Sequence, residues 1–365
     1  MNHIAKQTVR SQIEVSMANL KDTLEAWNNL SYGELVQQWG FVVLDHSEPV
    51  GYILDAFADK LNWDTANWHR DPETKVIRLE PSTYGSKPNV LDCNRALVDF
   101  CEQNQDVEGF GEALKPWVKA KTYFHPVLTP RQDLEGFEMP SPARGIFGIT
   151  TAGVHMNVYT SNPKKGQPGS VVDRIWVAKR SQTTTYPGCF DQIVAGAMDP
   201  ADNGDPVKTL KREAEEEAMW KLEDDGLLLR ASHEDALSTG LVVGDVHDAG
   251  RIYFCTKKDA SAGLKEVGHI EPGVRFCFDV NIKTGTEPAP NGNNKSIGRF
   301  FALSVDEVIR SLENKQWKPN SGLVMLNFLH RKGLIDENTC KGIGNLSKTS
   351  PLTRPEFQQT DLNRL

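Results

Sequence analysis

Residues 210–220 read LKREAEEEAMW, four acids and two bases within eleven positions. On a helix, Glu213, Glu216 and Glu217 stand three and four residues apart, so their carboxylates share one stripe while Glu215 points elsewhere. Like charges at that spacing repel by roughly a few tenths of a kcal/mol per pair, and Arg212 is the one base on the same patch. Two chemistries fit the stripe. A solvated helix face tolerates the repulsion. A hard divalent cation, Mg2+ or else Mn2+, reverses its sign, because it binds carboxylate oxygens and uses them to hold substrate phosphates.

The elements that must position this stripe are legible on both sides of it. Asp205 followed by Pro206 is a helix start, a carboxylate cap followed by a residue suited to the first helical position. Val207, Leu210, Ala214 and Ala218 then recur at helical spacing and define the face that meets the core. Upstream, YPGCFDQIVAGAM reads as a strand that ends near Gly196 and delivers a loop to the helix, a junction where backbone N–H groups receive phosphates.

Between Gly196 and Arg212 and onward, this combination resembles the Nudix box: a glycine, an acidic loop residue and an Arg-Glu-x-x-Glu-Glu core that binds Mg2+ at a diphosphate. The resemblance implies that Glu213, Glu216 and Glu217 hold metal, that Glu216 and Glu217 also assist the attacking water, and that Arg212 orients one of them. Fifteen residues separate Gly196 from Arg212, two more than the general pattern, with Asp202 or Asp205 as the loop acid. Met219 stands where the box usually closes on glycine.

A wider match, IWVAKRSQTTTYPGCFDQIVAGAM through LKREAEEEA, with GVHMNVY before and KPNSGLVMLNFLHRKGLI after, is similar to the thiamine-pyrophosphokinase-related Nudix hydrolases of fungi and plants. It covers about residues 30–337 and includes Lys179, Arg180, Ser181, Pro187, Gly188 and Asp191. It implies hydrolysis of thiamine diphosphate or its oxidised analogues, oxythiamine and oxothiamine diphosphate, to monophosphate and phosphate, a clearing of damaged cofactor. Gln192 replaces a usual asparagine and Ala197 a second glycine, and Ser296 stands where an acid is expected. A nucleoside diphosphate-linked substrate such as ADP-ribose or NADH, or a Nudix-fold binding protein with little turnover, are the competing readings.

Other candidates are weaker. His155 and His125 suit either phosphate binding or a hydrogen-bonded structural place. Lys179 and Arg180 follow a strand and are able to reach a diphosphate, Arg180 bidentately, or else to cap a solvated strand end. The substrate-binding set is therefore Lys179, Arg180, Gly196, Gln192 and His155. Trp176 alternates with charged residues and is expected in the core, and the aromatic shelf for a flat substrate ring is expected in an interdomain cleft.

Across the whole chain, 365 residues with 39% hydrophobic content suffice for two cores. The net charge of −8 offers no general attraction for nucleic acid or anionic membrane. Six scattered cysteines without a CxxC pair suit reduced thiols. No secretory signal or apolar span of about 18 residues is present, which points to a cytoplasmic protein. Lys6 and Arg10 ahead of the first acid, Glu14, are also compatible with an organelle presequence.

The expected fold class is α/β, a Nudix α/β/α sandwich preceded by a smaller α+β domain. The divisions are an N-terminal helical segment (1–25), an α+β domain (26–143), the hydrolase domain (144–337) and a polar tail (338–365), with the boundary in the proline-rich run YFHPVLTPRQDLEGFEMPSPARG. Hairpins are expected over GFVVLDHSEPVGYIL and, less regularly, over residues 145–161. Because the chain closes soon after its last expected helix, GLVMLNFLHRKGLI, no pyrophosphokinase activity is expected. The expected partner is a small-molecule diphosphate.

Overall fold

The computed structural model describes residues 20–84, 87–129, 132–163, 169–223, 228–231, 241–283, 285–335 and 344–347. The expected helical segment at 1–25 therefore lies outside the described residues up to position 19, as does most of the polar tail.

Helix α1 (20–27) is followed by α2 (Tyr32–Leu35), capped by Ser31 and Glu34. The strands β1 (Trp39–Val43), β2 (Gly51–Ile53), β3 (Trp68–Asp71) and β4 (Val76–Leu79) form a sheet of order β2-β1-β4-β3, with α3 (Asp55–Lys60) leading out of β2. The expected first hairpin is β1–β2, paired antiparallel. In α4 (Val90–Asn104), Cys93, Ala96, Leu97, Phe100 and Cys101 repeat at helical spacing and are buried. α5 (Gly111–Ala120) packs beside it, and the short strands β5 (Phe124–Pro126) and β6 (Glu138–Pro140) close the unit.

The second sheet holds β7 (Thr151–Pro163), β8 (Ser170–Arg180), β9 (Phe190–Asp191), β10 (Val194–Ala197), β11 (Trp220–Leu222), β12 (Leu228–Ala231), β13 (Val242–Lys257), β14 (Ile270–Asn281) and β15 (Ile297–Leu303). Its order is β11-β12-β13-β14-β7-β8-β15, with β10 on β7 and β9 on β8. Alternation along β7 and β14 sends residues to two faces. Val154, Met156, Val158, Phe278 and Val280 meet α6 (Pro206–Ala218). Cys277, with Ile175 and Val177 of β8, meets α1, α7 (Val305–Glu313) and α8 (Pro319–Arg331). The sheet between these helices makes a three-layer α/β/α sandwich, and the chain as a whole is α/β. α1 belongs to that sandwich: Leu20, Leu24 and Trp27 are buried in its core, and a Cβ on Gly322 would strike the Trp27 ring.

Two expectations need correction. Residues 145–161 are not a hairpin. Ile146, Phe147 and Ile149 are buried in the core of the first unit, the chain turns at Gly148 with φ +51, and β7 then enters the sandwich as one strand. Apolar runs on both sides of a turn here serve two different cores. The stretch FDQIVAGAM is likewise two short strands on different partners: the ladder with β8 ends at Asp191, whose side chain, with that of Gln192, bonds Ser321 of α8, and a new ladder with β7 begins at Val194.

One edge of β7 has two tenants. β14 occupies the other edge from Thr151 to Tyr159, so β10 (on Gly153–Met156) and β8 (on Val158–Pro163) must share this one. β8 runs on to pair with β9 instead, and the sheet splits between β10 and the end of β8.

Candidate active site

The acidic helix begins as its sequence requires. The Asp205 carboxylate accepts from the N–H groups of Val207 at 2.8 Å and Lys208 at 3.3 Å, with Pro206 behind it. Leu210, Ala214 and Ala218 are fully buried and Val207 is half-buried. The helix stops at Met219, which adopts the left-handed conformation with φ 52 that a glycine would take at lower cost.

The three glutamates do not share one environment. Glu213 and Glu217 are buried, while Glu216 lies on the exposed rim, 3.6 Å from the Arg212 guanidinium. Glu213 sits on the backbone of Gly196, and any Cβ there would overlap its carboxyl group. That contact is the physical reason for glycine at the strand end. Glu217 reaches the opening of the split sheet, where its Oε2 accepts from the Ala195 N–H at 2.7 Å.

Arg212 ties the cluster together. Its Nη1 donates to Glu213 Oε1 at 2.6 Å, and its Nη2 donates to Asp202 Oδ2 at 2.9 Å and to the Ala197 carbonyl at 3.0 Å. Of the two candidate loop acids, Asp205 is the helix cap and Asp202 is the one that meets Arg212. Burial pushes Asp202 upward, but Arg212, the Asp199 N–H and the Thr209 hydroxyl outweigh it and hold its carboxyl below the usual range. Glu213 and Glu217 go the other way. Burial raises both, Glu216 and Asp202 add to it at Glu213, and the charge of Glu213 adds to it at Glu217.

Two adjacent buried carboxylates served by one arginine, which touches only one of them, form a site short of positive charge. The donors are hard oxygens, so the set fits Mg2+ or Mn2+ and not a softer metal. Among the described residues, no three His, Cys, Asp or Glu side chains already form a group around one ion position. Glu213 and Glu217 would be its buried holders, with Glu216 as the third.

Of the remaining candidates, His155, Gln192 and Arg180 lie on the other side of the split. His155 is buried on the face toward α8, and its Nδ1 pairs with Gln192 Oε1 at 2.6 Å; burial pushes its pKa down to about 3, so the ring is neutral. Gln192 Nε2 donates to the Ser321 carbonyl at 2.9 Å. Arg180 is already engaged, with Asp191 Oδ2 at 2.7 Å, the Thr185 carbonyl at 2.8 Å and Thr184 Oγ1 at 2.9 Å. Lys179 stands over the Phe190 ring at 4.3 Å. His125 lies in the first unit against Arg144 and Ser141. Trp176 is partly buried against the α6-side core. Ser296 is exposed on a loop held at both ends: its carbonyl accepts from Ser181 N–H, and Asn291 N–H donates to the Glu217 carbonyl.

The residues read from the sequence thus fall into two groups, Gly196 with α6 and Gln192–His155–Arg180 with α8. Missed by the reading were the members that join them, Asp191's partners Lys318 and Ser321, and beyond these Glu271 and Arg275. The lysine of KPNSG, directly ahead of a helix-starting proline, was the available signal.

No protein-family model matches the sequence. The uncharacterized protein YJR142W of Saccharomyces cerevisiae is 28% identical over 271 residues, spanning 73% of this chain and 68% of that one. Among solved structures, a Nudix hydrolase from Nitrosomonas europaea aligns with 15% identity over 50% of this chain and 90% of its own, at a TM-score of 0.29. The dihydroneopterin triphosphate pyrophosphohydrolase of E. coli gives 8%, 49%, 95% and 0.31 for the same quantities. An Ap4A hydrolase of C. elegans gives 11%, 50%, 98% and 0.28. Among the described residues, no helix is long and apolar enough to cross a membrane.

Proposed function

We propose that this chain is a Mg2+-dependent diphosphatase of the Nudix type, with residues 144–337 as its hydrolase domain, acting on thiamine diphosphate or its oxidised analogues. The observation that carries the chemistry is the buried Glu213–Glu217 pair beside Gly196, a cation-deficient set of hard donors at the mouth of a split sheet. The substrate class comes from the sequence resemblance around Lys179–Asp191.

When bound, the divalent cation neutralises the diphosphate and acidifies a water. The chain's own residues do the rest. Arg212 fixes Glu213 and anchors the loop through Asp202, so the carboxylate is oriented before substrate arrives. The Ala195 N–H holds Oε2 of Glu217 and leaves Oε1 to take the proton of the attacking water. Glu216 contributes from the rim. Lys179 meets the substrate from the β8 side, and Arg180, Gln192 and His155 shape the floor of the split.

Purified protein with Mg2+ should release phosphate from oxythiamine diphosphate and thiamine diphosphate, and Glu217→Gln should not. Release from ADP-ribose or NADH alone would overturn the substrate assignment and keep the chemistry. If no metal-dependent, Glu217-dependent release occurs with any of the four, the protein is a binder and the enzymatic reading is wrong.

A further inference from the structure

Across the split from Glu217, the balance of charge is reversed. Asp191 Oδ2 is shared by Arg180 at 2.7 Å and by Lys318 at 3.6 Å, while Oδ1 accepts from the Ser321 hydroxyl at 2.5 Å and the Gln192 N–H at 3.0 Å. Asn320 continues the network: it bonds the Ser321 hydroxyl at 3.1 Å and Glu271 Oε1 at 3.2 Å. Glu271 in turn meets Arg275 at 2.6 Å and Lys258 at 3.3 Å, and Lys258 also meets Glu266, 4.0 Å from Arg144. Among the described residues, the ion pairs of Arg180, Lys318, Arg275, Lys258 and Arg144 are thus made with Asp191, Glu271 and Glu266 alone. Most of these side chains are withdrawn from water, so the surplus positive charge is poorly screened.

Lys318 is the member in weakest partnership. Its single carboxylate lies beyond hydrogen-bond distance and is already saturated by Arg180, Ser321 and Gln192. Its own position is fixed: its N–H donates to the Phe190 carbonyl at 3.0 Å, and it caps the thirteen-residue α8, whose N-terminal dipole adds to the positive potential. Glu217 is within electrostatic reach, since the Lys318 ammonium and the Asp191 carboxylate both act on it. An acidic half that lacks a cation and a basic half that lacks an anion therefore meet at one opening in the sheet. Resting on the diphosphatase reading, we infer that the Lys318 ammonium receives a phosphoryl oxygen of the diphosphate, opposite the metal-holding glutamates. Arg180 and Asp191 position it, and the ester end of the ligand is left to the rim.

The probe is inorganic pyrophosphate, titrated calorimetrically into metal-free protein. Wild type and Lys318→Arg should bind it, Lys318→Gln should bind roughly 10- to 100-fold more weakly, and Glu217→Gln should bind at least as well as wild type. Pyrophosphate should also protect Lys318 of the unaltered protein from reductive methylation, read by mass spectrometry, which serves if Lys318→Gln fails to fold. Equal affinity in Lys318→Gln, no binding by wild type, or no protection would each overturn the inference. Unchanged kcat and KM in Lys318→Gln would sink it and leave the diphosphatase reading intact. Lys318-dependent pyrophosphate binding in a protein that hydrolyses none of the four substrates would do the reverse.

Discussion

The two faces of the central sheet bury carboxylates to a similar degree and treat them in opposite ways. On the α8 side, Asp191 is held down to about 2 despite its burial, because Lys318 and Arg180 stand beside it. Asp279 is also held low, against the pull of burial, by Arg331 at 2.7 and 3.0 Å and by Asn157. On the α6 side, Glu213 and Glu217 are raised. Burial acts on all four alike, so the difference lies in who brings the counter-charge. One face supplies its own cations, and the other, with Arg212 reaching only Glu213, does not.

Substitutions that neutralise one carboxylate should therefore have opposite signs on the two faces. Glu217→Gln should cut Mg2+-dependent hydrolysis by roughly 100- to 10,000-fold and raise the melting temperature of the metal-free protein. Asp191→Asn should do the opposite for stability, costing about 3–5 kcal/mol in urea unfolding, because Arg180 and Lys318 lose their partner. If both variants shift stability the same way, the contrast between the faces is wrong. Gly196→Ala tests the seat of Glu213 and should cost roughly 1–3 kcal/mol by overpacking, with the stabilisation by added Mg2+ lost in the same melts.

The pH response sharpens the contrast further. Glu213 is raised from 4.5 to about 7, so the folded state holds a proton that the unfolded state has released. Its contribution is complete below about pH 4.5 and is lost as pH rises through about 7. The neutral His125, His155 and His269, whose pKa values burial pushes down, add stability over the same interval. The effect is therefore read as the difference in melting temperature between wild type and Glu213→Gln in EDTA, which should fall across it, and Mg2+ should restore wild type most at the alkaline end. The smallest effect is expected at the helix end. Met219→Gly relieves a left-handed residue and should stabilise by up to about 1 kcal/mol, leaving the hydrolysis rate unchanged.

How much of this was legible in the sequence depends on how far apart the partners stand. The Asp205 cap, the buried stripe of α6 and the grouping of Arg212 with Glu213 all depend on neighbours within one helix, and spacing alone exposes them. Spacing did not reveal that Glu216 is exposed while Glu213 and Glu217 are buried, because that division is set by Gly196 and Ala195 on a separate strand. The basic half was invisible for a stronger reason. Asp191 meets Ser321 across 130 positions, and Asn320 meets Glu271 across 49. The strands β3 to β6 were missed because each is only three or four residues long, too short to show a period.

The seat of α1 bears on how the chain reaches this state. Thr23 Oγ1 donates to the Leu312 carbonyl across 289 positions, and the Trp27 ring lies on Gly322, within four residues of Lys318. During synthesis the first helix emerges long before the helix it rests on, a wait of roughly 15–60 s at ordinary ribosomal rates. Leu20, Leu24 and Trp27 are without the core that buries them throughout that interval. The basic half of the site can then be completed only after α8 has left the ribosome.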